Sequence, residues 1–148
     1  KKEAARKKSL GELGELFALK ALVDQKFDKI RNLNDQKMNE KFADIICEKD
    51  GIKYAVSVKS RNKLQLSGKL NTRYNLGSKA YEKAEYAEKK YNAKASWIAV
   101  QFANNSFSIY FGLLEDLKGS KAIPVNKCEQ GVGGEIWEYN KRHYFDFD

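Results

Sequence analysis

An Asp-Gly pair at positions 50–51 lies between two stretches rich in Ile, Val, Ala and Tyr, and this pattern is a strong signal for a β-hairpin. A two-residue loop would place Asp44 directly opposite Ser57. Because side chains alternate along a strand, Asp44, Ser57 and Lys59 would then share one face of the sheet. An acid and a lysine directed at one point from adjacent strands could hold a metal ion and a reactive water. A longer loop would shift the register and separate these residues.

The rest of the chain predicts one mixed α/β domain over residues 1–148, since 42% hydrophobic content is ample for a core. Residues 1–8 form a charged lead-in, and residues 107–148 form a C-terminal strand extension. The predicted elements are a helix from Ser9, a strand at 27–33, the hairpin, a loop at 60–77, a helix from Ser78, strands at 97–102 and 107–112, and a terminal hairpin at 135–147 that turns at Asn140-Lys141.

The first helix carries a capping-box pattern, in which Ser9 caps the helix and Glu12 reaches back to it. Gly11 and Gly14 each cost about 1 kcal/mol relative to Ala, and a close approach to another element would explain them. Glu15 borders the apolar stripe and has no capping role. A solvated side chain is the ordinary interpretation of a single helical glutamate, and a functional role is the alternative.

The charge of the chain suggests a polyanionic partner, because the formal net charge is +8 and the pI is near 9.3. The alternative is a protein that is basic for no functional reason. Residues 60–77 contain no acid, and we expect a nucleic acid backbone to lie along them. The predicted binding residues are Arg61, Lys63, Lys69 and Arg73, with Tyr74 to stack on a base.

Several classes of protein are excluded by what the sequence lacks. Cys47 and Cys128 lie far apart, which fits neither a zinc motif nor a disulfide framework and favours a reducing cytoplasm. His143 is the only histidine, so a histidine-based metal site is excluded. There is no phosphate-binding loop, dinucleotide-binding fingerprint or serine-hydrolase motif. No apolar run approaches membrane-spanning length, and we expect no membrane partner.

Three motifs taken together resemble the PD-(D/E)XK nuclease superfamily. They are G-E-L-G-E-L-F-A-L-K-A-L at 11–22, F-A-D-I-I at 42–46 and Y-A-V-S-V-K-S-R at 54–61. The likeness is greatest to the Holliday-junction-resolvase and Mrr-like branches, and it covers about residues 9–102. It implies a restriction-endonuclease-like core, in which a central mixed sheet is flanked by helices in the order helix–strand–hairpin–helix–strand. Extra C-terminal strands would follow this core.

The resemblance assigns roles to particular residues. Glu15 matches the helix glutamate of the family, Asp44 the metal-binding aspartate and Lys59 the motif lysine. The backbone carbonyl of Val58 would complete the metal shell. Ser57 departs from the pattern, because the family has a second acid at this position.

The missing acid should weaken Mg²⁺ binding, since this ion prefers charged oxygen ligands. Some members of the superfamily with S-x-K supply the lost carboxylate from the following helix, and Glu82 or Glu85 could do so here. Glu82 is nearer the start of that helix, whereas Glu85 lies closer to its apolar face. Glu15 alone is the remaining alternative.

The resemblance implies a Mg²⁺-dependent endonuclease, with Mn²⁺ as a possible substitute, that hydrolyses phosphodiester bonds. DNA is favoured over RNA, and the enzyme would be of the restriction, resolvase or toxin type. Lys59 would position the attacking water or help to deprotonate it. A homodimer is a possible assembly. The alternative is a non-catalytic nucleic-acid-binding module with a degenerate nuclease fold, of which Ser57 would be the mark.

Overall fold

The structure, a computed structural model, describes residues 2–36, 40–104, 106–128 and 134–138. The α-helices are α1 (Lys2–Asp24), α2 (Ala80–Tyr91) and α3 (Val125–Cys128). The strands are β1 (Asp28–Asn32), β2 (Ile45–Lys49), β3 (Ile52–Asn62), β4 (Arg73–Asn75), β5 (Lys94–Phe102), β6 (Phe107–Leu113), β7 (Ala122–Pro124) and β8 (Glu135–Glu138). Two short 3-10 helices cover Leu33–Gln36 and Leu114–Leu117.

The predicted hairpin is present with the register that a two-residue loop requires. The antiparallel pairing of β2 with β3 runs from the loop to Ile45 opposite Val56. Both loop residues have positive φ, 51° at Asp50 and 79° at Gly51. A type I′ turn needs positive φ at both central positions, and an Asp-Gly pair adopts it with little strain.

Six strands form one sheet in the order β1-β2-β3-β5-β6-β8. β3 and β5 are parallel, whereas the other neighbouring strands are antiparallel. Parallel strands cannot be joined by a tight turn, so the chain crosses over through β4 and α2. The first five strands in this order make the central mixed sheet, and β8 extends it at one edge. The predicted fold class is therefore confirmed.

Different elements cover the two faces of the sheet. On one face, Ala18, Ala21 and Leu22 of α1 are buried against apolar side chains of β2, β3, β5 and β6. On the other face, α2 and the small sheet of β4 with β7 pack around Trp97 and Tyr110. Small side chains on both helices allow this close packing.

The first helix begins earlier than predicted. α1 starts at Lys2, so Ser9 lies inside the helix and cannot be its N-cap. The capping-box prediction is therefore wrong. The residues before Ser9 are Lys, Glu, Ala and Arg, which have high helix propensity, and the helix continues through them.

The segment at 60–77 is more regular than the predicted loop. β3 continues to Asn62, and an isolated bridge pairs Leu64 with Leu70. β4 then pairs antiparallel with β7. The loop prediction is wrong here because pairing with a strand about 50 residues away leaves no local pattern in the sequence.

The other strands that the sequence predicts are present where the structure describes them. β1, β5 and β6 lie within three residues of their predicted bounds. β8 is the first part of the predicted terminal hairpin. The turn at Asn140-Lys141 and His143 lie outside the described residues. Among the helices that are described, none combines the length and apolar character needed to cross a membrane.

Candidate active site

Asp44 lies directly before β2, where the regular pairing with β3 ends. Its backbone N–H donates to the carbonyl of Val56 at 2.8 Å, and its own carbonyl accepts from the N–H of Leu33 at 2.9 Å. Its Oδ2 accepts a hydrogen bond of 2.7 Å from the backbone N–H of Val58. The carboxylate is thus held by a main-chain donor of the neighbouring strand. The predicted pairing with Ser57 lies just beyond the regular ladder.

Asn34, in the 3-10 helix after β1, joins Asp44 to Glu15 of α1. Its amide nitrogen lies 2.7 Å from Glu15 Oε1 and 3.4 Å from Asp44 Oδ1. Its backbone N–H donates to Asn32 Oδ1 at 3.0 Å, which stabilises the turn between them. One amide therefore bridges two carboxylates that come from distant parts of the chain.

A close contact between α1 and β3 places Glu15 near Asn34. A Cβ added to Gly14 would lie 2.5 Å from Ser60 Oγ, so only glycine fits there without a shift. Ser60 Oγ also donates to the carbonyl of Leu10 at 3.1 Å. The predicted close approach is confirmed for Gly14. It is wrong for Gly11, where an added Cβ would meet no atom within 4 Å.

Ser57 and Lys59 lie two residues apart on β3. Val56 and Val58 pack in the core beneath α1, so the alternating Ser57 and Lys59 belong to the opposite face, as predicted. Ser57 is buried opposite Trp97 of the parallel strand β5. Lys59 is half-buried, and its charge interacts with Asp44.

Burial shifts both charged groups of this site away from their ordinary ionisation. Loss of hydration raises the pKa of Asp44, although hydrogen bonds from Val58 and Asn34 oppose the shift. Loss of hydration likewise lowers the pKa of Lys59, and the attraction of Asp44 offsets this only in part. Each group therefore carries a desolvation cost in its charged form, and such costs are typical of functional sites.

The oxygen atoms of the site suit a hard divalent cation. Mg²⁺ is commonly bound by one or two carboxylates with water in the other positions, and Glu15 and Asp44 can supply two. The NH2 group of Asn34, whose hydrogens carry partial positive charge, already lies between these carboxylates. Over the described ranges, no three carboxylate, thiol or imidazole groups come together as a metal-binding set.

The two acids of α2 considered as replacements for the missing glutamate lie in different surroundings. Glu82 is exposed in the first turn of the helix. Glu85 pairs with Lys89 at 3.1 Å and lines a cavity of about 320 Å³ with Tyr81 and Lys94. Neither joins the site in a three-acid set within the part of the chain that the structure describes.

The basic segment, which is residues 60–77, begins on β3 directly after Lys59. Its four cations, Arg61, Lys63, Lys69 and Arg73, are exposed. The Arg61 guanidinium donates to the carbonyl of Ser60 at 2.7 Å and lies 6.0 Å from the centre of the Tyr74 ring. The four cations are therefore open to solvent along one segment of the chain.

The prediction that Tyr74 stacks on a base is wrong, because its side chain is fully buried. The pairing of β4 with β7 turns the ring into the core beside Trp97 and Ile123. The aromatic residue of a basic segment need not be a ligand contact, since the same ring can serve the core.

Asn34 is the site residue that the sequence analysis missed. It falls in a polar stretch without periodicity, directly after the first predicted strand. Its signal is the Asn-x-Asn spacing with Asn32, which is typical of a side-chain-stabilised turn. That spacing predicts a turn, but it does not predict that the Asn34 side chain contacts Glu15 and Asp44.

Comparison with known proteins identifies the fold. No family model and no curated protein matches the sequence. The structure is similar to that of Hjc, a Holliday junction resolvase from the archaeal hyperthermophile Archaeoglobus fulgidus, with a TM-score of 0.55 and 16% sequence identity. The match covers 82% of this chain and 89% of that chain. The chain therefore shares the fold of this resolvase.

Proposed function

We propose that this protein is a metal-dependent endonuclease that hydrolyses phosphodiester bonds in DNA. The observation that carries the proposal is the convergence of Glu15 and Asp44, joined by Asn34, beside the half-buried Lys59. Two carboxylates and a lysine at one point are the groups that metal-assisted hydrolysis uses. DNA is favoured over RNA because the similar fold is that of a Holliday junction resolvase. A restriction-, resolvase- or toxin-type enzyme is consistent with this arrangement.

The proposed cofactor is Mg²⁺, for which Mn²⁺ would substitute. Glu15, Asp44 and the backbone carbonyl of Val58 would hold it, and Glu82 or Glu85 stays the proposed source of a further ligand. The ion would offset the charge that develops on the phosphate and lower the pKa of a bound water. Ser57, which has a hydroxyl where the family has a carboxylate, would contribute no charge to the site.

Each residue of the site has a separate task in this proposal. The Val58 N–H orients the Asp44 carboxylate, and the Asn34 amide holds Glu15 beside Asp44. Lys59 would pair with the phosphate and position the attacking water. Because burial lowers the pKa of Lys59, this pKa lies closer to neutral pH, where an amine can both accept and release a proton.

The exposed cations at 61–73 would bind the phosphate backbone by charge and would not read its sequence. A homodimer is the assembly that would let two such sites cut two strands. Burial raises the pKa of Cys47 to about 12, and Cys128 is also buried. The wide spacing of the two cysteines fits no disulfide framework and supports a reducing cytoplasm as the compartment.

A second candidate function is a non-catalytic nucleic-acid-binding module. Ser57 and the lack of a three-acid set in the described residues favour it. In this case the basic segment would still bind nucleic acid, and Glu15 and Asp44 would no longer support cleavage.

The test is cleavage of supercoiled plasmid DNA with Mg²⁺, with Mn²⁺ or with EDTA, by wild type and by Asp44→Ala. The endonuclease proposal predicts metal-dependent nicking that the substitution abolishes. Binding that depends on salt, without cleavage, would support the binding module. If wild type neither cleaves nor binds DNA, both DNA functions are wrong, and RNA becomes the next target to test.

A further inference from the structure

Residues 63–71 form a short hairpin that extends beyond the end of β3. The N–H of Gln65 donates to the carbonyl of Lys69 at 2.7 Å, and the N–H of Gly68 donates to the carbonyl of Gln65 at 2.9 Å. Gly68 has a φ of 88°, which glycine adopts without strain. The tip at 65–68 is therefore a closed turn with a defined direction.

Three leucines of this hairpin are exposed to solvent. Leu66, at the tip, is 92% exposed, while Leu64 and Leu70 in the stem are 52% and 55% exposed. Leu66 contributes almost nothing to the core of the fold, because almost none of its surface is buried. A group of exposed leucines on one projection indicates a surface that binds a partner.

The charge around these leucines indicates the kind of partner. Residues 60–77 include four cations and no acid. In a symmetric dimer formed through this hairpin, the same cations would face one another and repel. A nucleic acid satisfies both features, since its backbone attracts the cations and its stacked bases accept an apolar side chain.

A cavity of about 400 Å³ lies between α1 and the hairpin, next to the leucine at the tip. Its lining includes Leu10, Arg61, Asn62, Gln65, Leu66 and Asn71. Amide and guanidinium side chains are the groups that hydrogen-bond the edges of bases. Arg61 and Asn71 each already donate to a backbone carbonyl at 2.7 Å, and each has further donor or acceptor atoms for a base displaced from its stack.

The hairpin is also close enough to the candidate active site to act on the same duplex. The strand from Lys59 to Asn62 rises about 10 Å over three residues, at about 3.3 Å per residue. One turn of DNA spans about 34 Å. A duplex bound at Lys59 would therefore pass the base of the hairpin within the same helical turn.

We propose that Leu66 is a wedge that enters duplex DNA and unstacks a base step beside the cleavage site. Lys63 and Lys69 flank it and bind the two backbones. The inference rests on the proposed function for its choice of partner, but it does not require cleavage. Because mismatched steps cost less to unstack, Leu66 makes the protein favour duplexes that contain a mismatch over fully paired ones.

The experiment measures binding to a short DNA duplex with a mismatch beside a fluorescent adenine analogue, whose emission rises when it unstacks. It is done in EDTA, so that no strand is cut. The variants are Leu66→Ala, Leu16→Ala as a matched control and Lys69→Ala as a charge control. Leu16 is 59% exposed on α1, outside the hairpin. Thermal unfolding checks that each variant is folded, and sedimentation gives its mass.

The wedge predicts that Leu66→Ala binds about 10- to 100-fold more weakly, because the apolar surface buried by one leucine is lost. The same variant should lose the rise in emission and keep the salt dependence of wild type. Leu16→Ala should match wild type, and Lys69→Ala should retain the rise in emission with a shallower salt dependence. Wild-type binding or wild-type emission in Leu66→Ala overturns the inference. So does a change of Leu66→Ala from dimer to monomer, which would assign the leucines to a protein interface.

Plasmid cleavage separates this inference from the proposed function. If wild type does not cleave but unstacks DNA in a Leu66-dependent way, the wedge stands and the endonuclease proposal fails. If wild type cleaves and Leu66→Ala binds and unstacks DNA like wild type, the endonuclease proposal stands and the wedge is wrong.

Discussion

The backbone N–H of Val58 donates a hydrogen bond of 2.7 Å to Asp44 Oδ2, so the sheet itself orients the carboxylate on which the proposed chemistry depends. This donor does not remove the cost of burying Asp44, whose pKa is still raised. A group that is held in place at a cost in stability is expected where function selects it. Neutral replacements of the buried charged residues should therefore reduce function while they increase stability.

Asp44→Asn should abolish cleavage and raise the melting temperature at pH 7. The charged form of Asp44 is penalised in the folded state, and asparagine can still accept from Val58. Each 1 kcal/mol gained would raise the melting temperature by about 2–4 °C. Because the pKa is raised, the penalty is present above the folded pKa and disappears as the pH falls below the ordinary value of 3.8. Calorimetry across this range should show the two curves converge.

The control for Asp44→Asn is Asp24→Asn, which removes an exposed ion pair with Lys20 at 2.7 Å. This pair stabilises the helix by about 0.2–0.5 kcal/mol. Asp24 is also the last residue of α1, where a negative charge is unfavourable by a similar amount, so the control should differ little from wild type. A loss of stability in Asp44→Asn would contradict a desolvation cost at Asp44.

Lys59→Met should reduce cleavage by about 10²–10⁴-fold, the range of acid–base and positioning effects, and leave DNA binding largely intact. It should also stabilise the fold at neutral pH, because the pKa of Lys59 is lowered by burial. The dependence of stability on pH has the opposite direction to that for Asp44. The cost is present while Lys59 is charged and disappears as the pH rises above the ordinary value of 10.5. Equal losses of binding and cleavage would place Lys59 in DNA binding alone.

Asn34→Asp should strengthen metal binding, because it places a third carboxylate between Glu15 and Asp44. We expect an affinity for Mn²⁺ about tenfold higher, since charged oxygen ligands raise the affinity for such ions. In EDTA the same variant should be less stable than wild type, because three carboxylates then repel one another. Titration calorimetry with Mn²⁺ and unfolding in EDTA measure the two effects. Unchanged affinity would mean that Asn34 lies away from the metal position.

Gly14→Ala should destabilise the fold by about 1–3 kcal/mol, because the added methyl group overlaps Ser60. Gly11→Ala in the same helix is the matched control and should stabilise by about 1 kcal/mol, since its surroundings are open. Ser60→Gly should restore stability to Gly14→Ala by removing the overlapping atoms. Denaturant unfolding of the four proteins tests this, and equal effects at the two glycines would contradict the contact.

Alanine substitutions at Arg61, Lys63, Lys69 and Arg73 should each weaken DNA binding and reduce its salt dependence by about one ion. Lys20→Ala, which removes an exposed cation on α1, should have little effect. Binding isotherms at several salt concentrations measure the slope. A loss at Lys20 equal to that in the basic segment would indicate binding by net charge rather than by this surface.

Local patterns predict the hairpin because its turn is determined by two adjacent residues. Asp50 and Gly51 both have the positive φ that an Asp-Gly pair favours, and the strand register follows from the loop length. Short stretches of sequence also predict β5 and β6 from their apolar runs and α2 from its alanine face. The order and spacing of the three motifs likewise point to Glu15, Asp44 and Lys59 as candidate site residues.

The sequence by itself determined the hairpin and its register, the strands β1, β5 and β6, and the charge of the segment after β3, because each depends on residues close together in the chain. Only the tertiary structure decided that Asn34 joins Glu15 to Asp44, that Gly14 rather than Gly11 meets β3, and that Tyr74 is buried. Each of these outcomes depends on contacts between residues far apart in the chain. The same side chain can be exposed or buried, and paired or unpaired, until the elements pack.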